Sequence, residues 1–262
     1  MEVSTTVLKE RKDGVLTLTL NRPERANAFN NEMTKTLQRS LKEAGRDSAV
    51  RCVVLTGAGR SFSAGQDLGE VEHAQAVNYR SHLQQTYNPL VMQLRRLEKP
   101  VLAALKGAVS GAALGIALAC DLRVAADDTN FTVGFLRVGL VPDSAVSLLL
   151  PAVVGLGKAS ELAFTNTPFT AQQALEWGLV NRVVPRQDIE TRTTEWAAEL
   201  SQGPLDVMGL SKRAFNRAVL PNLEDVLDYE AHLQAIAQHG SEHKEGMQAF
   251  LEKRPPNFDG HR

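Results

Sequence analysis

The stretch KPVLAALKGAVSGAALGIALACDLRVAADDTNF, residues 99–131, decides the fold. Residues 101–107 and 122–127 are continuous apolar runs, and such runs between turn residues are typical of strands buried on both faces. Residues 110–120 between them are small and apolar, which favours a buried helix. The stretch therefore predicts a strand, a small-residue turn, a helix and a second strand.

A membrane span is the alternative interpretation of residues 101–120, because the segment has about the length that crosses a bilayer. Its glycines at 107, 111 and 115 are spaced four apart, as in helix-dimer motifs. Against this, Lys106 lies inside the segment, and a charge at the centre of a bilayer is costly. We therefore expect a buried strand–turn–helix unit.

The same alternation extends outward along the chain. Asp13-Gly14 between two β-rich runs predicts a hairpin. Asn30 precedes apolar residues at helical spacing and is expected to cap a helix. Residues 51–59 form another buried run that ends in glycines. The alternation over residues 10–185 predicts an α/β fold.

The last part of the chain has a helical pattern. Two short helices are expected at 159–164 and 171–177, the second capped by Thr170, and a last strand within 178–185. Residues 188–251 have amphipathic helical spacing. We therefore divide the chain into a core over 1–190 that holds the functional site and a helical region over 191–262 for assembly.

Composition excludes several classes of protein. The chain has 262 residues, of which 43% are hydrophobic and 23% charged, and its net charge is −1. A nearly neutral chain offers no general attraction to nucleic acid or an anionic membrane. The first residues show no secretory pattern, and Cys52 and Cys120 are isolated, so we expect a cytoplasmic protein with reduced core thiols.

The first candidate site is the turn GRSFSAGQDL, residues 59–68. Ala64-Gly65 lets the backbone approach a ligand closely, and the N–H groups after the turn are free to bind an oxygen. The alternative is an ordinary strand-to-helix connection with Asp67 near the helix start.

A second turn, LKGAVSGAALG at 105–115, repeats this pattern, with a helix expected to begin near Gly111-Ala112. Two such turns on neighbouring strands could direct two N–H groups at one oxygen, which would make an oxyanion hole. The alternative is that small residues serve only close helix packing.

Other catalytic motifs are weak. Ser110 lies in a relaxed GxSxG pattern, and His232, His239 and His243 follow, but no loop that would present a base is evident near them. The dinucleotide fingerprint is absent, and the histidines and cysteines lack metal-ligand spacing, so no metal site is expected.

Several motifs together resemble the crotonase (enoyl-CoA hydratase/isomerase) superfamily. They are, in chain order, LTLNRPERANAF, GRSFSAGQDL, the 99–131 stretch, GLVPD, AQQALEWGLVNRVVP and EGMQAFLEKRPPNF. The resemblance covers nearly the whole chain. It implies a spiral of ββα units, a helical C-terminal trimerisation region and binding of an acyl-CoA thioester.

The resemblance also implies a set of site residues. The backbone N–H groups of Gln66 and Ala112 would form the oxyanion hole for the thioester oxygen. The residues expected to contact the substrate or its CoA are Arg25, Ala26, Ala28, Ala64, Gly65, Asp67, Leu68, Gly111, Phe135 and Pro142. No cofactor is expected, because CoA is part of the substrate.

Two departures from the family pattern bear on the reaction. Hydratases of the superfamily use two glutamates, and the matching positions here are Gly115 and Phe135. Neither side chain can activate water, so the sequence argues against classical hydration.

One acid remains, Asp143 in GLVPDSAVSLLLP at 139–151. Some isomerases and a dehalogenase of the superfamily carry their acid at this position, and AGQDL with GLVPD is most similar to isomerases of ring-1,2-epoxyphenylacetyl-CoA in phenylacetate degradation. The apolar neighbours are expected to raise the pKa of Asp143. The alternative is that Asp143 caps a helix from Ser144 onward.

We therefore expect an acyl-CoA isomerase, with Asp143 as the acid/base, that assembles as a homotrimer or as a hexamer of two trimers. Alternatives are a Δ3/Δ2-enoyl-CoA isomerase, an enoyl-CoA hydratase, and, from another class, a non-catalytic acyl-CoA-binding assembly subunit. The sequence does not specify the acyl group.

Overall fold

A computed structural model describes residues 5–69 and 78–260 of the chain. Its strands are β1 Val7–Lys12, β2 Val15–Leu20, β3 Cys52–Gly57, β4 Val101–Leu105, β5 Ala108–Ser110, β6 Leu122–Ala126, β7 Asn130–Thr132, β8 Phe169–Thr170 and β9 Arg182–Val184. Its helices are α1 Asn31–Arg46, α2 Tyr79–Gln85, α3 Tyr87–Arg96, α4 Ala112–Ala119, α5 Val146–Val154, α6 Leu156–Thr165, α7 Ala171–Glu176, α8 Ile189–Ser201, α9 Leu205–Val219, α10 Leu223–Ala237 and α11 Ser241–Leu251. The predicted α/β class is confirmed.

The larger sheet has the strand order β1-β2-β3-β4-β6-β9. β1 and β2 form the predicted antiparallel hairpin, and Asp13 and Gly14 both have positive φ, as a tight hairpin turn requires. Every later pairing in this sheet is parallel. The carboxyl ends of β3 and β4, where both candidate turns follow, therefore lie at the same edge of the sheet.

The decisive stretch forms β4, α4 and β6, as predicted. All eight residues of α4 are buried, so this helix runs through the core. The sequence did not predict β5, which separates β4 from α4. Because β4, β5 and α4 divide the apolar segment, it does not form one long helix, and no described helix is long and apolar enough to cross a membrane.

A second, three-stranded sheet, β5-β7-β8, lies beside the first. An isolated bridge joins Ser63 to Val109 of β5, and another joins Phe29 to Gln66. The first pairing holds the segment after β3 against β5, and the second ties the same segment to the residues before α1. The small sheet therefore brings the two candidate sites together.

Local capping follows the sequence. Asn30 caps α1 through its side chain, which accepts a hydrogen bond from the Met33 N–H. Thr170 and Gln173 form a capping box at α7. Cys52 and Cys120 are buried and unpaired, as expected for core thiols.

The helices after residue 188 pack on the rest of the chain. α10 lies against α2 and α3, and α11 lies against the single 3₁₀ turn Leu136–Val138. Leu223, Leu227 and Ala231 of α10 belong to the main hydrophobic core. The helical region thus completes the core, and its proposed role in assembly stays a prediction.

Candidate active site

A cavity of about 550 Å³ lies where the two turns meet. Its described lining includes eight of the predicted site residues: Ala64, Gly65, Gln66, Leu68, Gly111, Ala112, Phe135 and Asp143. Its wall combines apolar side chains with polar and charged ones, among them Arg137, Lys253 and Arg254. Such a cavity is typical of a small-molecule site.

The backbone N–H groups of Gln66 and Ala112 are free donors. In the described part of the chain neither has a hydrogen-bond acceptor, although the N–H groups of Gly65, Asp67 and Gly111 all do. Ala112 is the first residue of α4, where an N–H has no partner within the helix and the helix dipole favours negative charge. Both donors belong to residues that line the cavity, so they are available to one bound oxygen.

The two turns touch at Gly65. A Cβ added to Gly65 would lie 2.7 Å from the carbonyl oxygen of Ser110 and 3.6 Å from the backbone nitrogen of Ala112. Gly65 also has φ +93°, which other residues rarely adopt. Only glycine at 65 lets the Gln66 amide lie this close to the N-terminus of α4.

Asp143 lies on the same cavity and is 7% exposed. Its Oδ1 accepts a hydrogen bond from the Ser144 hydroxyl at 2.7 Å, and its Oδ2 accepts one from the Gln234 amide at 2.7 Å. α5 begins at Val146 after Ala145, without a capping side chain. The alternative that Asp143 caps this helix is therefore wrong.

Burial raises the pKa of Asp143 to about 6, while the hydrogen bonds from Ser144 and Gln234 act in the opposite direction. The predicted rise in the pKa is confirmed. A carboxyl group with this pKa is ionised at neutral pH and can still hold a proton during a reaction, as a general acid/base must.

Gly115, the first of the two positions at which hydratases of the superfamily carry a glutamate, has no room for a side chain. A Cβ added to Gly115 would lie 2.4 Å from the carbonyl oxygen of Ser144. The turn that carries Asp143 therefore fills the space that a glutamate at 115 would need. Phe135, at the second position, is 7% exposed and lines the cavity as an apolar wall.

Five predicted contact residues are not in the described lining of the cavity: Arg25, Ala26, Ala28, Asp67 and Pro142. Asp67 forms an ion pair with Arg22 at 2.8 Å and accepts a hydrogen bond from the Gly69 N–H. The carbonyl of Ala26 accepts a hydrogen bond from the Ala64 N–H, which ties its segment to the first turn. A contact between these residues and CoA stays a prediction.

Sequence reasoning did not find several polar groups at the cavity. Tyr79, His82 and Gln234 line it, and His82 and Tyr87 both hydrogen-bond the side-chain oxygen of Gln66. Glu230 lies behind Asp143 on α10. Helical spacing alone predicted α10, and it carried no signal that Glu230 and Gln234 meet a turn some 90 residues earlier in the chain.

The hydrolase alternative for Ser110 finds no support. His243 is hydrogen-bonded to the Tyr79 hydroxyl at 3.0 Å and to the Val138 carbonyl at 2.7 Å. Among the described residues no histidine hydrogen-bonds Ser110, so this part of the chain offers no base that would activate it.

The arrangement suits proton transfer beside a carbonyl. Two free amides can hold an oxygen on which negative charge develops, which is a large contribution to many enzymatic rates. A carboxyl group with a raised pKa lies on the same cavity and can move a proton on the adjoining carbon skeleton.

Comparison with known proteins agrees with this geometry. The enoyl-CoA hydratase/isomerase family model matches residues 10–261. The chain is 40% identical to a 1,2-epoxyphenylacetyl-CoA isomerase of Escherichia coli K12 over 97% of this chain and 98% of the relative. It is 38% identical to a probable enoyl-CoA hydratase of Rhodobacter capsulatus, again over 97% and 98% of the two chains.

A solved structure shows the same fold. An enoyl-CoA hydratase from Mycobacterium avium subsp. paratuberculosis matches with a TM-score of 0.88 at 32% identity, over 97% of this chain and 98% of that one. The expected crotonase-type spiral of ββα units with a helical C-terminal region is thereby confirmed. This protein belongs to the enoyl-CoA hydratase/isomerase family.

Proposed function

We propose that the protein is an acyl-CoA isomerase, and that its substrate is ring-1,2-epoxyphenylacetyl-CoA. The observation that carries the proposal is the meeting of two free amides, at Gln66 and Ala112, with one buried acid, Asp143, on a single cavity. Proton movement beside a thioester needs these three groups.

In the ring epoxide, the carbon–carbon bond shared by the two rings opens to give a seven-membered oxepin, in which a ring double bond lies β,γ to the thioester carbonyl. Asp143 then acts in its ionised form. Its carboxylate takes a proton from the carbon next to the thioester carbonyl, and the electron pair of that C–H bond moves into the carbonyl to give an enolate. The amides of Gln66 and Ala112 stabilise the enolate oxygen. Asp143 then returns the proton to a carbon further along the conjugated system, so a double bond moves and no atom is gained or lost.

Isomerisation is favoured over hydration by positions 115 and 135. Hydration requires acids that hold and activate water. Gly115 has no side chain, and Phe135 has only a phenyl ring. The close contact of Gly115 with Ser144 shows that the difference extends to the backbone. An aromatic acyl group also suits the apolar part of the cavity wall.

A relative that is named 1,2-epoxyphenylacetyl-CoA isomerase supports the choice of the acyl group. A Δ3/Δ2-enoyl-CoA isomerase is the second candidate, because the same three groups would serve an aliphatic chain. The proposed reaction needs no metal or redox cofactor, since a proton is the only group that moves and CoA belongs to the substrate.

The test is a panel of aromatic and aliphatic enoyl- and epoxy-CoA esters, with products identified by mass and NMR. We expect a product of unchanged mass from the ring epoxide, and a loss of about 10³-fold in rate for Asp143→Asn. Faster conversion of aliphatic Δ3-enoyl esters would favour the second candidate, and a product heavier by one water would favour a hydratase. Full activity of Asp143→Asn, or an inactive wild type that still binds acyl-CoA, would overturn the enzyme proposal and favour a binding subunit.

We also propose assembly as a homotrimer, or as a hexamer of two trimers. Large apolar side chains are exposed on three helices of the C-terminal region: Val207, Leu210, Phe215 and Val219 on α9, Tyr229 and Ile236 on α10, and Phe250 and Leu251 on α11. Exposed apolar surface of this kind is typical of protein interfaces. Light scattering of the purified chain should give three or six times the 28.6 kDa monomer mass, and a monomer would contradict the proposal.

A further inference from the structure

Two side chains of α10 reach the turn that carries Asp143. Glu230 and Gln234 are four residues apart and so lie on the same face of the helix. Glu230 is 2% exposed and Gln234 is 1% exposed. A buried carboxylate and a buried amide on one helical face need partners, and both find them in residues 141–147.

Gln234 holds the Asp143 carboxylate directly. Its Nε2 donates to Oδ2 of Asp143 at 2.7 Å and to the carbonyl oxygen of Val141 at 2.9 Å. One amide group therefore fixes the carboxylate relative to its own backbone. The Ser144 hydroxyl holds the other carboxylate oxygen, so the group cannot rotate freely about its χ2 angle.

Glu230 holds the backbone just after Asp143. Ser144 and Ala145 both have positive φ, at 57° and 64°, which is unfavourable for residues other than glycine. The Glu230 carboxylate accepts hydrogen bonds from the N–H groups of Ala145 and Ser147, at 2.8 and 3.1 Å, and from the Ser147 hydroxyl. These amides lie at the N-terminus of α5, where a negative charge is favoured. Glu230 thus stabilises the strained turn from which the Asp143 side chain extends.

The Gln234 amide is not explained by stability alone. Its Oε1 is buried and has no hydrogen-bond donor among the described residues. An apolar side chain of similar size would avoid this cost. The benefit of an amide at 234 therefore lies in the donors that it presents to the Asp143 carboxylate and to the Val141 carbonyl of the same turn.

We propose that Gln234 is a positioning residue that fixes the orientation and the ionisation of Asp143, with Glu230 as the anchor of the same turn. The proposal deepens the proposed function, because it assigns Asp143 the proton transfer. It places part of the reaction's control in a helix of the C-terminal region, although the sequence division assigned that region to assembly.

The pKa measured for Asp143 depends on the ionisable groups around it. Glu230 is the carboxylate that interacts with it, and burial raises the pKa of Glu230 to about 7. Tyr79, His82, Arg137, Lys253 and Arg254 line the same cavity. Among the described residues none of these five forms an ion pair with either carboxylate. The hydrogen bond from Gln234 lowers the pKa of Asp143, so its removal should raise that pKa.

The test uses the full chain with Gln234→Met, an apolar replacement of similar size. We expect the pKa of Asp143, followed by carbon NMR of its carboxyl group, to rise by about one unit. In the isomerase assay, kcat near pH 5 should fall about tenfold, because the ionised fraction of Asp143 falls by about that factor, with KM within about twofold, and this loss should shrink at pH 7 and above. A merely structural defect would not produce recovery with pH.

Matched controls are available on the surface. Gln248→Met alters a glutamine whose partner is the exposed Glu252, and Glu224→Gln alters a glutamate of α10 whose partner is Arg96. Both should leave the titration of Asp143 unchanged. If Gln234→Met does not fold, Glu230→Gln provides the second variant, with the same expected split between kcat and KM.

The outcomes separate this proposal from the proposed function. An unchanged pKa of Asp143 in Gln234→Met overturns the positioning proposal, whether or not the wild type is an isomerase. A raised pKa in a protein that isomerises no thioester confirms the contact and overturns the function. A loss of kcat that is equal at every pH also overturns the proposal.

Discussion

The carbonyl oxygen of Ser144 occupies the space beside the α-carbon of Gly115, where a Cβ would lie only 2.4 Å away. Real Cβ atoms do not approach a carbonyl oxygen so closely. The turn that brings Asp143 to the cavity and the absence of a side chain at 115 are therefore one structural feature. A site with Asp143 in this position excludes a glutamate at 115 on steric grounds.

Gly115→Glu should consequently fail to produce hydratase activity. We expect the added side chain to displace the Ser144 turn, to lower stability by about 1–3 kcal/mol or more, and to reduce isomerisation because Asp143 moves. Urea unfolding and assays of water addition to an enoyl-CoA measure these effects.

Gly157→Glu is the control for this substitution. Gly157 is an exposed helical position at which an added Cβ meets no atom within 4 Å, so stability and activity should be nearly unchanged. Efficient hydration by Gly115→Glu would contradict the steric argument.

Local features of the fold could be predicted from the sequence because each depends on neighbouring residues. The hairpin at Asp13-Gly14, the cap at Asn30 and the capping box at Thr170 are short-range patterns with a direct physical cause. Continuous apolar runs predicted β3, β4 and β6 for the same reason. The oxyanion-hole amides were placed from the turns and then assigned to residues by family resemblance.

Other features depend on contacts between distant segments. β5 and β7 have three residues each and β8 has two, too few for a recognisable alternation, so the small sheet was not predicted. Gln234 reaches Asp143 across 91 residues of sequence. Nothing in the sequence favoured Gln234 over the other polar residues of α10 as the partner of Asp143. The capping role considered for Asp143 was wrong because the helix begins at Val146, two residues later than expected.

Asp143→Asn should stabilise the protein relative to the wild type above pH 6 while it lowers the rate of isomerisation by about 10³-fold. The pKa of Asp143 is raised from 3.8 to about 6 in the folded chain, so between these pH values the folded state holds a proton that the unfolded state has lost. Wild-type stability therefore falls as the pH rises through this window. The isosteric amide does not titrate. The free energy of unfolding of Asp143→Asn relative to the wild type should therefore increase by about 3 kcal/mol from pH 4 to pH 6 and then become constant.

Urea unfolding of both proteins at several pH values measures this difference. A stability difference that is independent of pH would contradict the raised pKa, whatever the effect of the substitution on activity.

The rate of isomerisation should depend on pH through the same group. Because the base must be ionised, kcat/KM should increase about tenfold per pH unit below about pH 6 and become constant above it. His82 also lines the cavity, and burial lowers its pKa from 6.5, so it is the competing explanation for such a profile.

His82→Gln separates the two groups. If Asp143 controls the profile, the inflection near pH 6 persists in this variant, even where the absolute rate changes. An inflection that disappears with His82, or that lies near the ordinary aspartate pKa of about 4, would contradict the assignment.

Gly65→Ala tests the oxyanion hole without altering a polar side chain. The new Cβ would lie 2.7 Å from the Ser110 carbonyl oxygen, so the first turn must move away from α4 and take the Gln66 amide with it. Loss of one oxyanion donor typically lowers kcat by about 10²–10³-fold. We expect a loss of this size, with a smaller effect on KM because the enolate, more than the thioester, needs the donor.

Gly155→Ala is the matched control, because Gly155 also has positive φ, at 79°, but an added Cβ there meets no atom within 4 Å. Both variants carry the same kind of backbone strain, and only Gly65→Ala displaces an amide at the cavity. Steady-state kinetics and urea unfolding of the pair therefore separate strain from the loss of the donor. Equal losses of kcat in the two variants, or a fully active Gly65→Ala, would mean that the Gln66 amide does not hold the oxygen on which charge develops.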